Sequence, residues 1–340
     1  MSDPKIHTVR LTSSGRSFSV REDQPVLEAA IAAGLHLPYA CRGGSCGACT
    51  TRVVSGEIAY RAEMPPPGLT DEMVARGDAL LCVGRARSDL ELDAQEISRA
   101  EQVTVRRLPA RVERMDRLGP EVMALYLRLP AVERLQFLAG QYLDVFLDDG
   151  RRRSFSIANA PHDDELIELH VRHVAGGSFS EQVFSTMQPK SLLRIEAPLG
   201  TFFVREGSTR PQLMIAGGTG FAPIKGMIED AIHTGLAQPI HLYRGARRRD
   251  DLYMQDRVVA WATADARIAQ TAVLSEPDDD WTGRTGLVHE AVLADHADLS
   301  GFDVYAAGPP PMISAIRETF LARGLSESQL FYDSFEPAPR

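Results

Sequence analysis

Four cysteines constrain this chain more than any other feature. Three of them fall within nine residues, Cys41-Arg-Gly-Gly-Ser-Cys46-Gly-Ala-Cys49, and the fourth, Cys82, follows after a gap of 32. The pattern is C-x4-C-x2-C…C, with three glycines between the clustered thiols. Glycines that accept positive φ let such a loop wrap a compact inorganic core. Two other uses of thiols compete. A structural zinc site usually pairs its ligands as two short knuckles, and Cys82 has no neighbouring thiol. Disulfides between neighbours on a tight loop have poor geometry, and nothing marks the chain as secreted.

The spacing matches the pattern by which plant-type [2Fe–2S] clusters are held. Composition sets the rest of the frame. At 340 residues there is length for two or three domains with real cores, and 44% hydrophobic with 24% charged residues is ordinary for a globular protein. A net charge of −9 leaves no electrostatic footprint for nucleic acid or an anionic membrane. No apolar run has membrane-spanning length, and the polar opening Met1–Lys5 is unlike a signal peptide. These features predict a cytoplasmic protein with neither nucleic-acid nor membrane partners.

Along the first segment, to about residue 95, Val9–Leu11 and Phe18–Val20 flank a Gly15 turn and predict a β-hairpin. Asp23-Gln-Pro25 predicts the start of a short helix that ends at Gly34, with Val26, Leu27, Ala30 and Ile31 on its buried face. Thr51–Val54 predicts a strand leaving the cysteine loop, and Leu80–Gly84 a second apolar run that returns Cys82 to the other thiols. The segment resembles the plant-type ferredoxin domain, which implies a small α+β fold of the β-grasp type with Cys41, Cys46, Cys49 and Cys82 as metal ligands.

Residues 96–105 are mixed and charged and are assigned as a linker. From 106 to 208, five short strand-like runs, beginning near Pro109, Val122, Tyr142, Leu166 and Leu192, predict an antiparallel β-barrel interrupted by one helical patch near Ser180–Phe184. From 209 to 340, strands at 212–216, 240–243, 267–274 and 303–307 alternate with helices at about 223–234, 252–264, 287–294 and 310–323. That alternation predicts an α/β parallel-sheet domain.

Four stretches carry chemistry here. Arg153-Ser-Phe155-Ser156 combines a cation, an aromatic ring and a hydroxyl, and Gly176-Gly-Ser-Phe-Ser180 precedes the helical patch. A glycine-rich helix start exposes N–H groups suited to pyrophosphate, although a hairpin loop with an N-cap reads equally well. Gly217-Gly-Thr-Gly220 ends the first parallel strand, where ligands sit in such sheets, but lacks G-x-G-x-x-G spacing. Ala307-Gly308-Pro309 ends a later strand in the same way.

In this order the stretches resemble the ferredoxin–NADP+ reductase superfamily over about residues 106–340. With the ferredoxin-like segment in front, the chain resembles CDP-6-deoxyglucoseen reductases and the reductase components of bacterial multicomponent oxygenases. The resemblance implies three cofactors: a [2Fe–2S] cluster, FAD and NADH. It implies that Arg153 pairs with the flavin pyrophosphate, Phe155 packs on the flavin and Ser156 hydrogen-bonds near flavin N5. Gly177, Ser178 and Ser180 would cradle phosphate, and Gly218, Thr219, Gly220, Gly308 and Pro309 would face the nicotinamide nucleotide. Phe335 would shield the flavin, with Glu336 beside it as a proton-relay carboxylate. Phe155 stands where relatives often have tyrosine, and Ala307 where many have cysteine.

Glu276, past the third parallel strand, would repel a 2′-phosphate and accept hydrogen bonds from a ribose diol, which predicts NADH over NADPH. The expected function is a monomeric reductase passing electrons from NADH through FAD and the cluster to a protein acceptor, either an oxygenase component or a deoxysugar dehydrase. A stand-alone flavin reductase and a zinc-bound interaction module are the alternatives.

Overall fold

The computed structural model describes residues 4–61, 65–94, 96–97, 103–131 and 134–336. It divides into two compact units, Met1–Thr104 and Val105–Arg340. Part of the predicted linker, 98–102, lies outside the described residues.

The first unit is built on β1 (Ile6–Leu11), β2 (Ser17–Arg21), α1 (Val26–Ala32), β3 (Thr50–Ser55), β4 (Ile58–Ala59), α2 (Asp71–Arg76), β5 (Asp78–Leu80), β6 (Arg85–Ala86) and β7 (Leu90–Asp93). Five of these strands form one sheet in the order β2-β1-β7-β3-β5, and β4 pairs with β6 alone. The hairpin pairs Val9 with Phe18, and alternation puts Val9, Leu11, Phe18 and Val20 in the core. Pro25 caps α1, whose buried residues are Val26, Leu27, Ala29 and Ala30; Ile31 of the expected face is only half-buried.

Two features of this unit depart from the sequence reading. Strand β7 sits mid-sheet, parallel to β1 and antiparallel to β3, yet its four residues Leu-Glu-Leu-Asp are too few for a periodic signal. Helix α2 is a six-residue turn held by its caps: Thr70 Oγ1 accepts from Met73 N, and Gly77 closes it at φ 81°. The apolar run 80–84 returns Cys82 on a turn beyond the sheet. β5 stops at Leu80, and Gly84 N donates back to Leu80 O at 2.9 Å, so Cys82 lies in a turn.

In the second unit, β8 (Arg106–Gly119), β9 (Val122–Arg128), β10 (Tyr142–Phe146), β11 (Arg152–Ser156), β12 (Ile167–Arg172) and β13 (Leu192–Leu199) form an antiparallel sheet ordered β11-β10-β13-β8-β9-β12. An antiparallel bridge from Ile157 to Leu169 joins its two edges into a barrel. Val112, Leu125, Leu143, Val145, Ile157, Leu169 and Ile195 fill the interior with no exposed surface. Helix α3 (Ser178–Ser185) is the expected patch.

The chain then runs through β14 (Gln212–Gly217), α4 (Phe221–Thr234), β15 (Ile240–Ala246), α5 (Gln255–Ala264), β16 (Ile268–Leu274), β17 (Arg284–Thr285), α6 (Val288–Asp295), β18 (Asp303–Gly308), α7 (Pro310–Leu321) and β19 (Leu330–Ser334). All six strands are parallel, in the order β17-β16-β15-β14-β18-β19. Strand order therefore reverses between β14 and β18, where open α/β sheets bind ligands. Helix α5 begins at Gln255, later than expected, because Met254 takes a left-handed φ of 58°. Strand β19 was not legible in the sequence; it sits at the sheet edge and carries the last described residues toward the switch point. No helix among the described residues is long and apolar enough to cross a membrane.

Candidate functional site

The thiol loop leaves α1 through Leu37 and Tyr39, both buried. It then turns through left-handed residues Arg42 (φ 55°), Gly44 (φ 79°) and Gly47 (φ 78°). Gly44 has no room for a side chain, since a Cβ would stand 3.0 Å from Val83 and 3.1 Å from Pro66. Three cysteines are buried and Cys41 is half-buried. The thiols interact as two pairs, Cys41 with Cys46 and Cys49 with Cys82.

Backbone N–H groups point at the sulfurs: Gly43 N lies 3.4 Å from Cys41 Sγ, and Ala48 N lies 3.4 Å from Cys46 Sγ. Donation from Cys46, from the Ser45 hydroxyl and from the loop backbone brings the Cys41 thiol down to about 4 against its burial. Among the described residues no three His, Cys, Asp or Glu side chains converge tightly enough for a single ion. Two thiol pairs with N–H donors around them suit a two-iron core, which takes four cysteines, better than one tetrahedral ion.

In the second unit, pairing of Leu143 with Phe155 and Val145 with Arg153 puts Arg153 and Phe155 on one face of β11. Phe155 packs 5.1 Å from Phe179, ring to ring, so this face adjoins the first turn of α3. The Arg153 guanidinium donates to Arg152 O at 2.8 Å, and at the start of α3 Gly176 N donates to the Glu181 carboxylate at 3.2 Å. Gly177 is the N-cap and Gly176 turns at φ 74° with open space around it. Ser180 faces inward instead: its hydroxyl accepts from Val174 N and donates to carbonyls of the same loop, so it shapes the turn.

Ser156 is on the opposite face of β11, and its hydroxyl donates to Asp333 Oδ2 of β19 across 3.4 Å. Both residues are buried. The carboxylate brought to Ser156 is thus Asp333; Glu336 accepts from Ser334 Oγ at 2.6 Å. Phe335 is tied by its N–H to Gly308 O at 2.9 Å, which anchors the chain end to the sheet's switch point.

That switch point borders a cavity of about 360 Å³, whose walls include Gly218, Thr219, Pro309 and Tyr253 and, from the barrel, Glu121 and Arg172. Gly218 turns at φ 55° in a 3-10 segment ahead of α4. Gly220 is needed for close approach, because a Cβ there would collide with the carbonyl of Ala307. Ser275 lines the cavity, while Glu276 sits one residue beyond, exposed and 3.8 Å from Arg248. The cavity is rimmed by Arg172 and Arg247, both paired with Glu121 of the same wall, at 2.9 and 3.8 Å.

Sequence reasoning missed a buried polar group between barrel and parallel sheet. Lys225 Nζ donates to Glu168 Oε2 at 2.8 Å, to Glu229 Oε2 at 3.0 Å and to Ala158 O at 3.1 Å. His170 lies 3.0 Å from Glu168 Oε1 through Nε2 and 3.0 Å from the Tyr253 hydroxyl through Nδ1. Burial raises the Glu168 carboxyl pKa, but the donors His170 and Lys225 outweigh it and bring it to about 2. Burial lowers the pKa of His170, so the ring is neutral, donating from Nε2 and accepting at Nδ1. The one sequence clue was a lysine inside the apolar run Phe221–Ile228.

Fold and sites together define the class, an iron–sulfur flavoprotein oxidoreductase. Family models match in series: the 2Fe-2S iron-sulfur cluster binding domain over residues 9–87, the oxidoreductase FAD-binding domain over 109–204 and the oxidoreductase NAD-binding domain over 214–318. The chain is 41% identical over 330 residues to the CDP-6-deoxy-L-threo-D-glycero-4-hexulose-3-dehydrase reductase of Yersinia pestis, covering 97% of this chain and 98% of that protein. It is 34% identical to terephthalate 1,2-dioxygenase reductase component 2 of Comamonas sp, over 98% of each chain. Among solved structures, the Amycolatopsis cytochrome P450 reductase GcoB matches with a TM-score of 0.81 and 30% identity, covering 98% of this chain and 100% of that one. The chain belongs to this family of reductases, in which a 2Fe-2S domain is joined to FAD-binding and NAD-binding domains and electrons pass to a partner. Its cofactors are a [2Fe–2S] cluster, FAD and a nicotinamide dinucleotide.

Proposed function

We propose that the chain is an NADH-dependent reductase that delivers electrons through FAD and the cluster of Cys41, Cys46, Cys49 and Cys82 to a deoxysugar dehydrase. The observation that carries the reading is the coexistence of two thiol pairs in one unit with a Ser156–Asp333 contact and a glycine-lined cavity in the other. Nicotinamide supplies electrons in pairs, the cluster takes them singly, and flavin converts between the two.

The residues act by holding and orienting. Arg153 and the start of α3, from Gly177 and Ser178, would hold the flavin pyrophosphate, with Phe155 against the ring system and Phe335 covering it. Asp333 fixes the Ser156 hydroxyl by accepting a hydrogen bond from it, which leaves the serine oxygen free to accept from a ring N–H. Gly218, Thr219, Gly220, Gly308 and Pro309 would seat the nicotinamide nucleotide.

Two further points belong to the same reading. NADH is favoured because Glu276, one residue beyond the cavity-lining Ser275, would repel a 2′-phosphate, and each arginine of the nearby basic run faces a carboxylate across a loose, exposed contact: Arg247 lies 3.8 Å from Glu121, Arg248 3.8 Å from Glu276 and Arg249 3.4 Å from Asp280. A dehydrase is favoured as acceptor by the higher identity of the dehydrase reductase, 41% against 34% for the dioxygenase component. The protein would act as a cytoplasmic monomer, in a reducing compartment where thiols stay free to bind iron.

Anaerobic titration of the purified protein with NADH tests the relay. Bleaching of the flavin followed by the EPR signal of a reduced cluster is expected; bleaching without that signal overturns the internal relay. Reduction of a CDP-deoxyhexulose dehydrase, but not of an oxygenase component, is expected in a reconstituted assay.

A further inference from the structure

Lys225 lies on the second turn of α4, just after the Gly218–Gly220 segment, and its side chain is 2% exposed. An ammonium group with three acceptors in such a place is well satisfied, but burial of a charge is costly and a methionine would fill the same volume. Two of its acceptors belong to the barrel. Ala158 O is two residues beyond Ser156, and Glu168 is on β12, to which the Ala158 segment is tied by Ala158 N donating to Glu168 O at 2.8 Å. The third, Glu229, is on α4 itself and is braced by Arg257 at 2.9 Å.

The same carboxylate reaches the nucleotide cavity by another route. Glu168 accepts from His170, which accepts from Tyr253, and Tyr253 lines the cavity. Close packing leaves no slack around these bonds: Gly226, next to Lys225, approaches the barrel so nearly that a Cβ would stand 2.9 Å from Asn159 O. One ion pair therefore connects the strand end that carries Ser156 to the helix that follows the nucleotide turn.

We propose that Lys225 is a positioning residue for electron transfer from the nicotinamide to the flavin. With Glu168 it sets the register between the Ser156 end of β11 and the Gly218–Gly220 turn. Transfer of hydride between two bound rings is steep in distance and orientation, so an error of about 1 Å far from the reacting atoms can slow it about a hundredfold. The pair spends its charge on one geometry between barrel and sheet. The inference rests on the reading that NADH reduces a bound flavin in this unit.

The test uses full-length holoprotein and three variants. Lys225→Met leaves Glu168 buried without its cation and is expected to unfold readily. Glu168→Gln/Lys225→Met removes both charges, keeps an acceptor for His170 and is expected to fold with normal FAD content. In that double variant, flavin reduction at saturating NADH should slow by about 30-fold, while the NADH dissociation constant changes by less than about threefold. Lys225→Arg, which keeps the charge, should recover part of the rate. A folded double variant with wild-type reduction rate overturns the proposal, as does a loss confined to NADH affinity. If NADH fails to reduce the wild-type flavin, the functional reading itself has failed.

Discussion

The Ser156 hydroxyl of β11 donates to the Asp333 carboxylate of β19 at 3.4 Å, although 177 residues separate them. The contact joins the barrel to the edge of the parallel sheet and buries both groups. A hydroxyl whose hydrogen is committed in this way keeps both lone pairs as acceptors, and a ring N–H at the flavin edge would use one of them. Ser156→Ala and Asp333→Asn are each expected to slow flavin reduction by NADH about 10-fold, the loss of roughly one positioned hydrogen bond of about 1.4 kcal/mol. Stopped-flow rates for both and for the double variant should be non-additive by about 1 kcal/mol, because the residues act as one unit. Additive losses would mean that the pair does not work together.

Substituting either thiol pair should separate the two units' activities. Cys46→Ser and Cys82→Ser are expected to lower iron and sulfide from about two of each per chain and to abolish acceptor reduction. NADH reduction of a small dye should persist, because the cavity and barrel residues are all in the other unit. Iron analysis alongside dye and acceptor assays checks this; joint loss of both activities would contradict the assignment.

Nucleotide preference should follow the charge at Glu276. Its carboxylate is exposed and paired only loosely with Arg248 at 3.8 Å, so replacing it costs little stability. Glu276→Arg is expected to raise kcat/KM for NADPH relative to NADH by about tenfold, or about 1.4 kcal/mol. An unchanged ratio would move the choice of nucleotide to another part of the cavity.

Acid should weaken the second unit through Glu168. The folded carboxyl lies near 2, below its ordinary value of 4.5, so it stabilises the fold above the unfolded pKa and loses that contribution as pH falls toward 2. A depression of this size is worth about 3 kcal/mol at neutral pH. Urea unfolding of wild type and Glu168→Gln should differ most from pH 8 to 5 and converge from about pH 4.5 downward. A difference that stays constant down to pH 3 would show that the carboxylate is not the group responsible.

How much could be read in advance depended on where each residue's partner lay. The loop from Cys41 to Cys49, the hairpin β1–β2, helix α1 and the strands ending at Gly217 and Gly308 all carry their signal within a few residues: thiol spacing, alternation, a proline start or a glycine stop. Strands β7 and β19 carry none, because four or five residues at a sheet position are specified by the neighbours that flank them. Glu168 and His170 alternate with leucine and valine on β12 and so look like a solvated face; both are buried because Lys225 and Tyr253, 57 and 83 residues further on, supply their partners.

The sequence by itself determined the cofactor chemistry. Cysteine spacing, an Arg-x-Phe-Ser run and two glycine turns are local requirements of the groups they serve, and local requirements are written in adjacent residues. The tertiary structure decided which carboxylate meets Ser156, that the Ser180 hydroxyl turns into its own loop, and how the barrel is tied to the parallel sheet. Those choices depend on the relative placement of strands far apart in the chain, where a shift of one residue would turn Asp333 away and bring Ser334 in its place.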